Sequence, residues 1–214
     1  MSGVSQQQAI VSSDVAFTPA VKEVQRRKGS RKVYSKMEDG GGFQTEIDEE
    51  LAGFIGAQTS FFFATANALG QPYIQHRGGP AGFLRVLDSR TLGFADFRGN
   101  RQYISLGNLA ENPKVHLFLI DYAHRARIKI WGEAKVVEDD PKLLASLTPK
   151  NYSGKPEQAM IIRVTAWDAN CQQHIPVRLE AADVAKAIEE RDFKIGQLEA
   201  EVRRLGAIKQ DHPR

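Results

Sequence analysis

Two arginines, a glycine and an asparagine stand where a β-rich run gives way to a helical one, in the sequence GFADFRGNRQYISLGNLAENPKV (residues 93–115). Guanidinium groups are planar donors that match phosphate oxygens, and Gly99 lets backbone amides approach a ligand closely. Asn100 is predicted to cap a helix over about 101–110, so Arg101 would lie in a first turn, where the helix dipole favours an anion. The residues alone leave two interpretations open, an anion site or a solvated basic turn.

Two other strands carry residues that could join such a site. Arg77 ends the run PYIQHR (residues 72–77) and would reach the same place if the two strands are neighbours. In the later run RIKIWGE, the alternation of a strand points the isoleucines to one side and Arg127, Lys129 and Trp131 to the other. That second face is either part of a binding site or an exposed strand surface with a half-buried tryptophan.

The overall composition limits the class of protein. The chain has 214 residues, a net charge of +3 and one cysteine, Cys171. So mild a charge does not indicate a nucleic-acid partner, and no apolar run approaches the roughly 20 residues that span a bilayer. A single cysteine cannot form an intrachain disulfide and is typical of a reducing cytoplasm. We therefore expect a cytoplasmic protein with no nucleic-acid or membrane partner. No metal site is expected either, because no Cys or His cluster completes a set of ligands.

The elements that would position these residues are mainly β-strands. Thr18 and Pro19 are typical of a helix start and predict a short helix. A second helix is predicted to begin at Thr45, with Asp48 as its capping-box partner. Short apolar runs bounded by turn residues predict seven strands, over residues 60–65, 72–77, 83–87, 91–97, 115–121, 127–137 and 158–166. Strands in hairpin-like succession with few helices indicate an antiparallel barrel.

The last segment, residues 181–214, has a different pattern. Its apolar residues recur at intervals of three, four and seven among charged residues, which predicts a long amphipathic helix. They are Val184, Ile188, Ile195, Leu198, Val202 and Leu205. Arg191 occupies one position of the apolar stripe, and Gly196 lowers the helix propensity. Two arrangements stay open, a helix packed on its own barrel and a coiled coil between subunits.

Taken in order, the segments PYIQHRGG, GFADFRGNRQYISLGNLAENPKVHLFLI and RIKIWGEAKVV resemble the pyridoxamine 5'-phosphate oxidase-related flavoproteins, the FMN-binding split-barrel family. The resemblance covers about residues 45–180. It implies a mainly β fold, a six-stranded antiparallel split barrel with N-terminal helices and a long C-terminal helix, and a homodimer with FMN at its interface. The expected organisation is an N-terminal arm and short helix (1–44), the FMN-binding domain (45–180) and a coiled-coil-like helix (181–214).

The resemblance also implies which residues bind the cofactor. The strand that ends at Arg77 and the turn after residue 97 would face the flavin and its phosphate. The implied cofactor-binding residues are Gln75, His76, Arg77, Asp96, Phe97, Arg98, Asn100, Arg101, Gln102, Arg127 and Trp167. Arg101 matches the central arginine of the family's motif. Gln102 stands where the family usually has lysine, and Arg98 is the cation that would compensate.

A later segment, AWDANCQQHIP (residues 166–176), resembles one found in an uncharacterised branch of the family and is expected to form the pocket over the flavin ring. Trp167 and His174 are the candidate catalytic residues. Cys171 lies three residues before His174, but a lone cysteine is more often packed than nucleophilic. Residues 141–158 lack the Tyr, Arg and Ser spacing with which pyridoxamine 5'-phosphate oxidases bind their substrate phosphate, so that particular activity is not expected.

The leading functional hypothesis is an FMN-dependent oxidoreductase that acts on an unidentified small molecule. The alternative is a non-catalytic flavin- or haem-binding module on the same barrel. Its candidate axial ligands are His76, His116, His124 and His174. A third hypothesis makes the C-terminal helix the functional part, as an assembly element.

Overall fold

The computed structural model describes residues 11–169 and 172–210. After a 3-10 turn at Ser12–Val15, the elements in chain order are α1 (Pro19–Lys28), α2 (Arg31–Asp39), α3 (Glu49–Ala57), β1 (Ser60–Ala66), β2 (Pro72–Gly78), β3 (Arg85–Asp88), β4 (Thr91–Phe97), α4 (Ile104–Glu111), β5 (Lys114–Asp121), β6 (Ala126–Val137), α5 (Pro141–Leu147), β7 (Pro156–Ala169) and α6 (Ala181–Gln210). Much of the N-terminal arm predicted before residue 16, the stretch 1–10, lies outside the described residues.

The seven strands form one antiparallel sheet in the order β2-β1-β5-β6-β7-β4-β3. A mainly β, antiparallel fold with helices is therefore confirmed, whereas the six-stranded closed barrel is wrong. Strand β3 is a short edge strand that pairs with β4 through an irregular register. Because β2 and β3 lie at opposite ends of this order and are not paired with each other, the sheet is open.

The sheet nevertheless curves around a common core. Phe61 and Phe63 on β1 are fully buried because alternate residues of that strand face inward. The rings of Phe61 and Phe94 lie 5.4 Å apart, although β1 and β4 are separated by three strands in the sheet order. Leu51 and Ile55 on α3 complete the same core. This curvature brings β2 toward β4.

Residues 11–46 pack on the outer face of the sheet. The ring of Phe43 stacks on that of Trp131 on β6, with centroids 5.1 Å apart and an interplanar angle of 9°. The Trp167 backbone N–H donates to Gln44 O, and its indole Nε1–H donates to Glu46 O, both at 2.8 Å. The Trp131 face of β6, which the sequence offered as part of a binding site or an exposed surface, is instead covered in part by this N-terminal segment.

Two helix starts differ in how well they match the sequence-based expectation. The predicted start of α3 at Thr45 is wrong, because Asp48 is itself the N-cap and its carboxylate accepts from Leu51 N at 2.8 Å. The first predicted helix is confirmed, with Thr18 as N-cap and Pro19 as its first residue. Helices α2 and α5 were not predicted.

The chain divides into two compact units. Among the described residues, one comprises 11–121, 126–169 and 172 and includes all seven strands; the other comprises 122–125 and 173–210 and includes α6. Over the ranges that the structure describes, none of the helices combines the length and apolar character needed to cross a bilayer.

Candidate functional site

The loop between β4 and α4 borders a small, open cleft. It brings together seven of the residues that the resemblance implied. They are Gln75, Arg77, Asp96, Phe97, Asn100, Arg101 and Gln102. Residues on β2 reach residues on β4 here because the sheet curves, as the ion pair between Arg77 and Asp96 demonstrates. The cleft therefore depends on a tertiary contact between strands that are not neighbours in the sheet.

The loop itself differs from the prediction in one respect. Asn100 is not the helix N-cap: α4 begins at Ile104, and Tyr103 precedes it in a left-handed conformation. The Asn100 side chain instead accepts from Gln102 N at 3.3 Å, a local turn that asparagine forms readily. Arg101 is consequently in the loop, with φ of 62°, and not in a first helical turn. The helix-dipole argument for Arg101 therefore fails, while its place at the cleft is retained.

A buried polar network supports the floor of the cleft. Asp96 is buried, and its two carboxylate oxygens accept from Arg77 and from Gln158 Nε2, the latter at 2.9 Å. Arg77 lies with its guanidinium carbon 5.8 Å from the centre of the Phe94 ring. Its Nε–H is buried and has no hydrogen-bond partner among the described residues. A buried donor of this kind costs free energy unless it meets an acceptor, so Arg77 is a site where an anionic ligand would be stabilised.

The other two arginines near the cleft differ in whether they have an acidic partner. Glu157 lines the cleft and forms an ion pair with Arg98 at 3.5 Å. Arg101 donates from Nε to the hydroxyl of Tyr103 at 3.0 Å, not to a carboxylate, and its side chain is exposed. Since both acidic groups at the cleft have basic partners, Arg101 is the cation best placed to meet an added negative charge.

The start of α4 is anchored to neighbouring strands. The buried Ser105 hydroxyl donates to Gln75 Oε1 at 3.1 Å, which joins the first turn of α4 to β2. Asn108 Nδ2 donates to the hydroxyl of the buried Thr65 at 2.9 Å, which joins the same helix to β1. These two bonds fix the distance between the loop at 98–103 and β2, and thus the width of the cleft.

The other implied residues lie in different places. His76 lines an adjoining cleft that shares Gln75, Arg77 and Asp96 with the first. Arg127 and Trp167 line a third cleft, together with acidic residues at the start of α3. Arg98 lies on the rim, paired with Glu157, and lines neither of the first two clefts. Within one chain, the structure does not bring Arg127 and Trp167 to the Arg101 loop.

The segment that was expected to cover the flavin ring is only partly described. Trp167 is in β7, whose 14 residues extend past the predicted end at 166. His174 is exposed, has φ of 63° and belongs to the second compact unit. Asn170 and Cys171 lie outside the described residues. The catalytic roles of Trp167 and His174 therefore stay predictions.

Several residues of the cleft were missed by sequence reasoning. The cleft is also lined by Tyr73, Tyr103, Ser105 and Glu157. Gln158 does not line it but donates a hydrogen bond to Asp96. Gln158 is 62 positions from Asp96, and the pairing of β4 with β7 sets them opposite each other. A polar residue at the start of a strongly apolar strand was the available signal for Gln158. Alternation on β2, which puts Tyr73, Gln75 and Arg77 on one face, was the signal for Tyr73.

Comparison with protein families and solved structures gives these relationships. The family model for pyridoxamine 5'-phosphate oxidase matches residues 47–171, which is more than half of the chain. HupZ from Group A Streptococcus is 20% identical with a TM-score of 0.48, over 62% of this chain and 99% of that one. A candidate pyridoxamine 5'-phosphate oxidase from Lactobacillus delbrueckii is 19% identical with a TM-score of 0.46, over 58% and 95%. An FMN-binding protein from Syntrophomonas wolfei is 14% identical with a TM-score of 0.44, over 68% and 97%. Comparison with curated proteins gives no match.

Proposed function

Because the chain belongs to the pyridoxamine 5'-phosphate oxidase family, we propose that it binds FMN and is an FMN-dependent oxidoreductase acting on a small molecule. The proposal includes a homodimer with the flavin at its interface, which the family resemblance implies, and a cytoplasmic location. A dimer would also offer a reason for the separation of the implied residues, since Arg127 and Trp167 of one subunit could face the Arg101 loop of the other.

The observation that supports FMN most directly is the buried Nε–H of Arg77, which has no partner among the described residues. A phosphate oxygen is a strong acceptor for such a donor. The exposed guanidinium of Arg101 stands at the same cleft, across from β2. The cleft thus combines one buried and one exposed cation, which suits a phosphate group of two negative charges. The residues present fit the phosphate end of FMN.

Bound FMN would supply hydride transfer at its ring, and the protein supplies binding, orientation and electrostatics. Arg77 and Arg101 would hold the phosphate. Asp96 and Gln158 keep the Arg77 guanidinium in one orientation, because each bonds within the buried network. Phe97, whose ring lies 4.9 Å from that of Tyr152, would present an apolar edge beside the phosphate. Arg127 would stabilise negative charge on the flavin if the partner subunit presents it.

The first test is the absorption spectrum of freshly purified protein, with and without added FMN. A flavin band, or its appearance with added FMN, is expected. A Soret band in place of the flavin band would favour the haem-binding alternative, and a colourless protein that does not take up FMN would contradict the proposal.

The second test concerns the phosphate. Arg101→Ala is expected to weaken FMN binding about tenfold or more, because a hydrogen bond to a charged group contributes about 1.5–3 kcal/mol. Riboflavin binding should change much less, since riboflavin has no phosphate. Arg85→Ala removes an exposed arginine from edge strand β3 and is the matched control. Fluorescence titration of both flavins measures the effect, and equal losses for FMN and riboflavin would contradict the placement of the phosphate.

A further inference from the structure

Helix α6 is 30 residues long and has an exposed apolar stripe. The six stripe residues predicted from the sequence are 39–68% exposed. They are Val184, Ile188, Ile195, Leu198, Val202 and Leu205. An isolated helix derives little stability from propensity alone, and most helices are stabilised by packing an apolar face. A helix of this length, about 45 Å, is therefore expected to pack this stripe against a partner.

The spacing of the stripe is that of a heptad repeat, with core positions a and d. If Ile188 is a, then the a positions are Ala181, Ile188, Ile195 and Val202, and the d positions are Val184, Arg191, Leu198 and Leu205. Three of the four a residues are β-branched, and the last two d residues are leucine. This combination favours two-stranded parallel coiled coils.

The flanking charges are complementary to those of a second copy. In a parallel pair, a g residue contacts the e residue of the next heptad on the other helix. Lys194 is at g and Glu199 at e, so each helix would place its lysine against the glutamate of the other. In an antiparallel pair, e positions face e positions and g positions face g positions, so attraction between Lys194 and Glu201 would be offset by repulsion between Asp192 and Glu199. The charges therefore favour the parallel orientation.

The polar residue at a core position of the heptad repeat, Arg191, is compatible with a coiled coil. Arg191 at d donates to the neighbouring Asp192 carboxylate, from Nη2 at 3.0 Å. This pair would reduce repulsion between the two Arg191 side chains that meet across a parallel seam. A single polar residue in the core specifies register and strand number at a cost in stability. Gly196 is at position b, outside the seam, and nothing lies within 4 Å of where its Cβ would be.

We propose that α6 forms a parallel two-stranded coiled coil with the α6 of a second copy of this chain. The apolar stripe is the contact surface, and Lys194 with Glu199 determines orientation. This interface is distinct from the proposed flavin site, whose phosphate-binding residues all precede residue 160 in the chain. It can therefore hold whether or not the protein binds FMN.

A cysteine at the seam tests both contact and orientation. In a parallel dimer, residue 198 of one helix lies beside residue 198 of the other. In a full-length Cys171→Ser background, Leu198→Cys is expected to give a disulfide-linked dimer with oxidised glutathione, seen by non-reducing electrophoresis. Adding Ile195→Glu should abolish most of this product, whereas Phe193→Glu should not. Phe193 is the matched control because it is 71% exposed on the same helix but lies at the outer position f.

Charge exchange tests the orientation without altering the seam. In the Leu198→Cys background, Lys194→Glu alone should slow formation of the disulfide-linked dimer, because acidic residues would then meet along the α6 seam. Lys194→Glu with Glu199→Lys should restore it. Absence of the disulfide in the Leu198→Cys variant, equal effects of Ile195→Glu and Phe193→Glu, or failure of the double charge variant to restore association would each overturn the proposal. Flavin binding, measured on the same samples, is expected to be unchanged throughout.

Discussion

At the scale of single residues, the cleft depends on the charge of Asp96. This carboxylate is buried and accepts from both Arg77 and Gln158, so it fixes the guanidinium that would meet a phosphate. It also neutralises part of the positive charge that would attract one. Asp96 thus orients Arg77 and limits its affinity for anions at the same time.

Asp96→Asn is expected to destabilise the protein by about 3–5 kcal/mol, because it leaves the largely buried Arg77 without its counter-charge. It should also increase the stabilisation that FMN or inorganic phosphate provides, since the ligand is then the counter-charge that Arg77 has left. Asp168→Asn is the control. Asp168 pairs with Lys129 at 3.6 Å on a partly exposed surface, so its loss should cost less than about 1 kcal/mol. Chemical denaturation with and without ligand measures both changes, and ligand stabilisation that fell in Asp96→Asn would contradict this account.

The protonation of His116 is expected to affect stability below neutral pH. Burial, and to a smaller extent the charge of Lys129, lowers the pKa of His116 below its ordinary value of about 6.5. The unfolded chain then takes up a proton at a higher pH than the folded chain does. Stability is therefore unaffected above about pH 6.5 and falls as the pH drops below it.

As the pH falls from about 7.5 to 5.5, the free energy of unfolding of His116→Gln should consequently decrease less than that of the wild type. The difference in slope should correspond to at most one proton taken up on unfolding. Denaturant midpoints over this range measure the difference. Identical pH slopes for His116→Gln and the wild type would show that the histidine is not protected from protonation in the folded state.

The predicted and observed positions of the cleft residues differ for specific physical reasons. Arg77, Asp96 and Arg101 lie at one cleft, although β2 and β4 are not neighbours in the sheet as the expectation for Arg77 required. Their part in binding a cofactor stays a prediction. The role of Asn100 was wrong because asparagine caps helices and forms local turns by the same hydrogen-bonding ability. Gln158 was missed because only the register between β4 and β7 brings it to Asp96, and sequence spacing contains no information on that register.

At the scale of elements, the N-terminal segment is held to the sheet by close contacts around Gly42. The Ser12 hydroxyl lies 2.6 Å from Phe43 O and 3.0 Å from Gly41 O, to which it donates. A Cβ on Gly42 would lie 2.7 Å from Ser12 Oγ and from Val11 Cγ1. The turn at 40–42 therefore allows residues 11–15 to pack directly against the backbone that leads to Phe43.

Gly42→Ala is expected to destabilise the segment more than Gly41→Ala does. Both glycines have positive φ, so either alanine costs about 1–2 kcal/mol, but nothing lies within 4 Å of a Cβ on Gly41. The additional overlap at Gly42 should cost about a further 1–3 kcal/mol. Thermal unfolding gives the difference, and limited proteolysis should cut Gly42→Ala first within residues 11–42. Equal unfolding temperatures for the two variants would rule out this packing.

The strands were more predictable than the helices. All seven were predicted, with ends within a few residues, because alternating apolar side chains on half-buried strands give a period that can be counted. Helices α2 and α5 were missed for a different reason. Helices α2 and α5 are nine and seven residues long, too short for the helical period of their apolar residues to be counted over a full window. The count of six strands came from the family resemblance, whereas the residues alone predicted the seven that the structure has.

At the scale of the whole molecule, the proposed flavin phosphate site and α6 belong to different compact units. A chain that ends after Leu179 is therefore expected to retain FMN binding within about threefold and to lose the association that α6 provides. Light scattering and flavin titration on the same sample measure the two properties separately. Loss of FMN affinity on truncation would show that residues after 179 contribute to the flavin site.

The order of strands in the sheet has a consequence for how the protein matures. The cleft needs β2 and β4, which are adjacent in sequence apart from β3 but have four strands between them in the sheet. Arg77 can reach Asp96 only after β5, β6 and β7 have joined the two halves, and such non-local pairings form slowly. A nascent chain would thus have no cofactor site until β7, the last strand made, is in place. If the cleft binds FMN as proposed, flavin uptake would stabilise only chains whose sheet is complete.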